Sequence, residues 1–326
     1  MKYNLLLIGL LITCFTSRVN AQSVPSELAT LIDDGTYPNI DAIIVQQGDQ
    51  IIIEDYFNDF DREAMHDTRS SFKSITSLLA GIAIDQGLLK LEDNLGKFFP
   101  ELAGQSKADI TVQNLLEMMS GLACEEFYDI GPECEGDMWE SDDWIAYCIG
   151  IDLVNTPGTT WSYSSNDPMI MGEVVSRAAG MTIMDFAKEN LFDPLDIKDY
   201  KWTISPKGRG MTAGSFYMRP LDMLKIAQLV SNKGVFDGDQ LVSSQWIKQS
   251  TDCQIDLDFS FTGSSRMPNA TYHQTTYGFY WYQELLEFGD TKTEVLFASG
   301  NGGQYMMVIP DYNAIAVFTG SNYGNW

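Results

Sequence analysis

The chain predicts an α+β fold in which an antiparallel sheet is built from both chain ends and a mainly helical region is inserted between them. Three observations carry this expectation. Apolar, β-branched runs around a turn occupy residues 41–57, helical periodicity replaces them from residue 70, and strand character returns after residue 275.

The first segment, DAIIVQQGDQIIIEDYF, reads as a hairpin turning at Gln47-Gly48-Asp49. From Ser70, the residues Ile75, Leu78, Leu79 and Ile82 fall at i, i+3, i+4 and i+7, the stripe of a core-facing helix, with Gly87 as its stop. A second helix is expected over Thr111 to Met119, ending at Ser120-Gly121, where Gly121 suits a left-handed C-cap. A third is capped by Asn166 or Asp167, carries Pro168 in its first turn, and shows an apolar face of Ile170, Val174, Val175 and Ala178. Strands are expected at Thr275–Gln283, Glu294–Ser299, Gln304–Pro310 and Ala314–Thr319, the last two joined by Asp311-Tyr312-Asn313. The reading gives one domain over residues 22–326, with a sheet lobe at about 22–69 and 205–326 and a helical lobe at about 70–204.

Lys2, an apolar run from Leu5 to Phe15, and Val19-Asn20-Ala21 form a signal-peptide pattern, with cleavage expected after Ala21. The run is shorter than the ~20 residues that cross a bilayer, so we expect an exported, periplasmic or secreted protein without a membrane span. Leu11-Ile12-Thr13-Cys14 also resembles a lipoprotein cleavage box, with Thr13 a poor fit before the cysteine. Of the four remaining cysteines, Cys124, Cys134, Cys148 and Cys253, we expect Cys124 to pair with Cys134 and close a short acidic loop. No C-x-x-C pair exists, and His66 and His273 are the only histidines, which argues against zinc. The carboxylates between Cys124 and Asp137 lack EF-hand spacing and read as a solvated loop. Neither metal nor cofactor is expected. A net charge of −25 argues against nucleic acid or an anionic membrane as partner; the expected partner is a small-molecule or short peptide substrate.

Chemistry is concentrated in three places. Ser70 and Lys73 form the only S-x-x-K of the chain, and residues three apart share one helix face. A serine hydroxyl attacks only when something accepts its proton, and a partly desolvated lysine with a lowered pKa can do so. Tyr163 lies in a loop before the third helix, and a nearby ammonium would favour its phenolate. Gly302-Gly303, between two apolar strands, mark either a close backbone approach, as by a substrate along the sheet edge, or a bulge or turn.

Ser70-Ser71-Phe72-Lys73, Tyr163-Ser164-Ser165 and Asn301-Gly302-Gly303 appear in the order and approximate spacing of the beta-lactamase-related serine hydrolases, and from about residue 40 onward the chain resembles that family. It includes class C beta-lactamases, D-alanyl-D-alanine carboxypeptidases, esterases and 6-aminohexanoate-oligomer hydrolases. The resemblance implies a beta-lactamase/transpeptidase-like fold, Ser70 as the acylated nucleophile, and Lys73 and Tyr163 sharing the proton transfers. It also implies an oxyanion hole from the backbone N–H groups of Ser70 and Gln304, with Ser165, Asn301, Gly302 and Gly303 lining the substrate site. Three departures bear on specificity. Ser165 stands where the second motif often has asparagine, and Asn166 follows one step late. Asn301 replaces the lysine or histidine that helps hold a substrate carboxylate, so anionic substrates should bind less well unless an arginine such as Arg209 substitutes. The sequence stops at Trp326 where relatives continue into a terminal helix.

The expected activity is hydrolysis of an ester or amide through an acyl-enzyme on Ser70. Alternatives are carboxypeptidase or beta-lactamase activity, or a non-catalytic relative that binds peptidoglycan or peptide. A histidine triad is disfavoured, because no G-x-S-x-G occurs and His66 and His273 read as loop residues.

Overall fold

The computed structural model describes residues 21–126, 134–260, 270–271, 273–288 and 290–324. The expected leader, apart from Ala21, lies outside them, as does Cys14. The principal strands are β1 (Ile40–Gln47), β2 (Gln50–Tyr56), β3 (Tyr282–Phe288), β4 (Thr291–Gly300), β5 (Gln304–Ile309) and β6 (Ala314–Gly320). They form an antiparallel sheet in the order β2-β1-β6-β5-β4-β3, extended beyond β3 by the two-residue strands Thr276–Tyr277 and Ile255–Asp256. The amino-terminal hairpin therefore joins the last strand of the chain, with Ile44 opposite Val317.

Burial explains this order. Every residue of β5 and β6 is buried, as are Ile40 to Gln46 of β1, so these strands carry near-continuous apolar runs and sit centrally. β2 has charged residues at Glu54 and Asp55, is buried only at Ile52 and Ile53, and lies at the edge. The expected Thr275–Gln283 strand is in fact two: residues 278–281 turn back, with Tyr280 at φ +63°, and Tyr277 pairs with Tyr282. Gly278 makes the turn possible, because a Cβ there would lie 2.5 Å from the Ser250 carbonyl oxygen.

The helices are α1 (Ser26–Asp33), α2 (Phe72–Asp85), α3 (Val112–Leu116), α4 (Cys134–Glu140), α5 (Trp144–Gly150), α6 (Asn166–Ala179), α7 (Pro220–Ser231) and α8 (Ser244–Thr251), with shorter turns between. α2 is the axis of the molecule: it is buried from Phe72 to Ala83 and packs against α6 on one side and β4 on another. α7 lies on β6, β5 and β1. A small antiparallel sheet of His66–Asp67, Phe216–Met218 and Tyr200–Trp202 ties the chain just before α2 to the segment that follows the helical region.

Several expected boundaries differ. α3 ends at Leu116, and although Gly121 adopts φ +79°, it lies past the helix and does not cap it. What fixes α3 is a reciprocal capping box between Thr111 and Asn114. α6 begins at Asn166 with Ser165 as N-cap, so Asn166 and Asp167 are helical residues and neither is the cap. Gly180, at φ +68°, ends it. His66 is a buried strand residue packed on Phe60, where a polar loop was expected, and burial pushes its imidazole pKa down.

Two predictions follow from the packing of α2 and α6. A Cβ at Gly81 of α2 would lie 2.2 Å from the Trp246 indole, which donates to the Ser77 carbonyl at 3.1 Å. Gly81→Ala therefore destabilises by about 2 kcal/mol despite the better helix propensity of alanine, read as a lower Tm. Asp167 is fully buried beside Ser120, and burial raises its carboxyl pKa to about 7. Between its unfolded value near 3.9 and about 7, the folded state keeps a proton that the unfolded state releases, so this group favours folding below that window and loses the benefit as pH rises through it. Thermal melts at pH 5, 6.5 and 8 should show a falling Tm, and Asp167→Asn should flatten the fall; an unchanged slope would contradict the assignment.

Candidate active site

The site is organised by residues 67–70, just before α2. Thr68 donates its hydroxyl and its N–H to the Phe216 carbonyl, both at 2.8 Å, across the small sheet. Arg69 then adopts φ +47°, a left-handed conformation that costs a non-glycine residue about 1 kcal/mol. Asp67 holds it there, accepting the Arg69 N–H at 2.9 Å and pairing with its guanidinium at 2.9 Å. Two glycines clamp the same backbone. A Cβ at Gly214 would lie 3.1 Å from the Arg69 carbonyl carbon, and one at Gly300 only 2.4 Å from the Thr68 oxygen. The end of β4 and the 211–214 loop thus pin the chain, and the next residue, Ser70, emerges half-buried in a single 3-10 turn, Arg69–Ser71, that leads into α2.

Lys73 is one turn further and only 2% exposed. Its Nζ donates to Ser70 Oγ at 3.1 Å, to the Ala213 carbonyl at 2.8 Å and to Ser165 Oγ at 3.4 Å. Three acceptors match the three protons of an ammonium, which is how a cation without a direct ion pair is accommodated here. The Ala213 carbonyl is presented because Thr212 is wedged between α2 and α6: its carbonyl accepts from Thr76, and its hydroxyl donates to the Pro168 carbonyl. The Tyr163 ring centroid lies 4.9 Å from Lys73 Nζ. Tyr163 is half-buried in a loop, as expected, and shares a hydrogen bond with Tyr282, a fully buried phenol that its surroundings hold well above the usual tyrosine pKa.

Sequence reasoning missed two carboxylates. Glu126 accepts the Ser165 N–H at 2.8 Å, and its own N–H donates to the Tyr163 carbonyl at 2.9 Å. Glu135, in α4, accepts the Ser165 hydroxyl at 2.5 Å. Burial raises the Glu126 carboxyl pKa to about 7; Lys73 opposes the shift and Glu135 adds to it. The expected Cys124–Cys134 disulfide is present, with Cα atoms 5.8 Å apart, and it ties together the two segments that supply these carboxylates. The acidic stretch read as a solvated loop is therefore directed inward at both of its described ends; its middle, residues 127–133, lies outside the described residues. Among the described residues no cluster of three or more His, Cys, Asp or Glu side chains could hold a metal.

The third motif is a turn that also meets other parts of the chain closely. Asn301, Gly302 and Gly303 are the turn between β4 and β5, the two glycines having φ +94° and +99°. Close approaches exist at Gly302, where a Cβ would lie 2.7 Å from the Tyr323 ring and the carbonyl accepts the Asn322 N–H at 3.1 Å, and at Gly300; in both the partner is the protein itself. Gln304 pairs with Gly300, and its buried side chain donates to the Gly320 carbonyl at 2.5 Å, anchoring the turn to β6. The Asn301 side chain accepts the Gly324 N–H at 3.3 Å. Asn166 turns away from Ser70 and donates to the Cys148 carbonyl at 3.1 Å. Arg209 does not substitute for a missing third-motif cation: it pairs with Glu173 of α6 at 3.4 Å, whereas Arg69 is the guanidinium beside the nucleophile segment, stacked on Tyr323 at 4.6 Å. His273 lies 3.1 Å from Glu287, and no described hydrogen bond joins either histidine to Ser70.

Comparison with known proteins places the chain in one family. The chain is 24% identical over 220 residues to a 6-aminohexanoate-dimer hydrolase of Paenarthrobacter ureafaciens, covering 64% of this chain and 56% of that protein. It is 29% identical over 155 residues to a lovastatin esterase of Penicillium rubens, covering 40% and 37%. The matches thus span about half or less of the length of these curated relatives. A solved Bacillus anthracis protein assigned as a 6-aminohexanoate-dimer hydrolase superposes with a TM-score of 0.74 at 15% identity, covering 94% of this chain and 82% of that one. Residues 36–325 match the Beta-lactamase family, and with that span laid over a beta-lactamase/transpeptidase-like fold, the chain belongs to the Beta-lactamase family of serine hydrolases.

Proposed function

We propose that the protein is an exported serine hydrolase that cleaves an ester or amide through an acyl-enzyme on Ser70. The observation that carries this reading is the contact of a buried Lys73 amine with Ser70 Oγ at 3.1 Å under the Tyr163 ring. In acylation, Ser70 Oγ attacks the substrate carbonyl carbon while its proton passes to the Lys73–Tyr163 pair. The pair then protonates the leaving alcohol or amine as the bond to it breaks. Water attacks the resulting ester on Ser70 and gives a proton to the same pair, which returns it to Ser70 Oγ as the ester bond breaks and the acid leaves.

The oxyanion hole is assigned to the Ser70 N–H, at a helix start where backbone donors lack intrahelical partners, and to an N–H of the Gly300–Gln304 turn. Gln304 serves this role through its backbone, because its side chain is committed to the Gly320 carbonyl.

The substrate class is one without an essential carboxylate. Asn301 carries no charge, Arg209 is paired elsewhere, and Glu126 and Glu135 flank Ser165, so an anionic group there meets repulsion in place of a charge-assisted hydrogen bond. Export rests on the signal-like first 21 residues.

The test compares a short-chain p-nitrophenyl ester with a chromogenic cephalosporin. The ester should be the better substrate, and Ser70→Ala should lower its kcat/KM by roughly a thousandfold or more. Full ester activity in Ser70→Ala removes the nucleophile assignment, and a strong preference for the cephalosporin removes the argument about the carboxylate. Export is checked separately: mature protein recovered outside the cytoplasm should begin at Gln22 by intact mass.

A further inference from the structure

We propose that Glu135 is a positioning residue for this reaction: by taking the only proton of the Ser165 hydroxyl, it makes Ser165 an obligate acceptor and thereby directs the lone pair of Lys73 at Ser70. The inference rests on the proposed acyl-enzyme chemistry and deepens it.

A serine hydroxyl has one proton and two lone pairs. Ser165 Oγ donates to Glu135 Oε2 at 2.5 Å, so toward Lys73, 3.4 Å away, it can present only a lone pair. The Ala213 carbonyl, 2.8 Å from Lys73 Nζ, has no proton to give under any condition. Two of the three neighbours of the amine are therefore fixed acceptors.

When Lys73 is an ammonium, its three N–H groups serve these two and Ser70 Oγ. When it is a neutral amine, its two remaining N–H groups are claimed by Ala213 and Ser165, and the lone pair is left facing Ser70, the one of its three hydrogen-bond partners with a proton to donate. In the acylation step the Ser70 O–H bond breaks, the proton joins that lone pair, and Oγ bonds to the carbonyl carbon.

Without Glu135, the Ser165 hydroxyl is free to rotate and donate to the amine itself. That competes for the same lone pair and leaves the Ser70 proton without an acceptor. The geometry around Ser165 enforces the arrangement from two sides. Glu126 accepts the Ser165 N–H at 2.8 Å, and the Cys124–Cys134 disulfide places Glu135 directly after one of its cysteines. Among the described residues no carboxylate is within ion-pair distance of Lys73, so Glu135 acts through Ser165 and not by pairing with the amine.

Steady-state hydrolysis of p-nitrophenyl butyrate and the rate of fluorophosphonate labelling at Ser70 test this together. Glu135→Ala should lower kcat and the labelling rate in parallel by about tenfold or more, with KM changed less than about twofold. Glu135→Gln should recover to within about threefold of the parent, because its amide oxygen accepts the same hydrogen bond. Ser165→Ala should show the same loss, and adding Glu135→Ala to it should cause no further loss, since the carboxylate then has nothing to orient.

Parent-like rates in Ser165→Ala or Glu135→Ala, a change confined to KM, or losses that multiply in the double variant would overturn the proposal. Ser165→Ala leaves Glu135 and the disulfide untouched, so it decides the matter even if Glu135→Ala does not fold. If the parent protein is not labelled at Ser70, the hydrolase reading fails and this inference with it. If the parent is labelled and the variants are labelled equally fast, only this inference fails.

Discussion

One constraint organises the molecule: an ammonium with almost no access to water has to find three acceptors. A buried lysine left short of partners either loses its proton or destabilises the fold. Lys73 reaches Ser70 from its own helix, Ala213 from the segment that returns after the helical region, and Ser165 from the loop before α6. Each acceptor comes from a different part of the chain. The requirement to satisfy one cation therefore fixes how α2, the 211–214 loop and the helical region dock, and the same docking forms the site.

The second element of the design is a backbone held where it would not rest by itself. Arg69 at φ +47° is tolerated because Asp67 bonds it from one side while Gly214 and Gly300 leave no room for it to relax. Any side chain at either glycine would move the chain that carries Ser70. Small residues here are less about flexibility than about letting three backbone segments meet within van der Waals contact.

The strong acidity of the chain has a local meaning as well as a global one. Most carboxylates are on the surface and keep like-charged polymers away. Glu126, Glu135 and Asp167 are exceptions near the helical side of the site, and the disulfide holds the first two on either side of Ser165. Burial raises the carboxyl pKa of Glu126 and of Asp167 to about 7, and Lys73 opposes the shift at Glu126.

By itself the sequence determined the elements whose signals are local. The β1–β2 hairpin, the core stripe of α2, the closing strands and the S-x-x-K spacing each follow from periodicity or from three-residue geometry, and all appear where the pattern puts them. Boundaries set by tertiary contact were not legible. The break at residues 278–281 depends on Gly278 meeting the Ser250 carbonyl, and the α6 N-terminus depends on Ser165 being held by Glu126 and Glu135. The glycine pair that stood out, Gly302-Gly303, is a turn that meets Tyr323, whereas Gly300, which did not stand out, is what reaches the Thr68 backbone beside the nucleophile; a sequence shows that a glycine is present but not what lies 2.4 Å from its missing Cβ. Tertiary structure alone decided the partners of Lys73 and the inward turn of the acidic segment, because long-range acceptors are chosen by the burial of a charge, which no local pattern records.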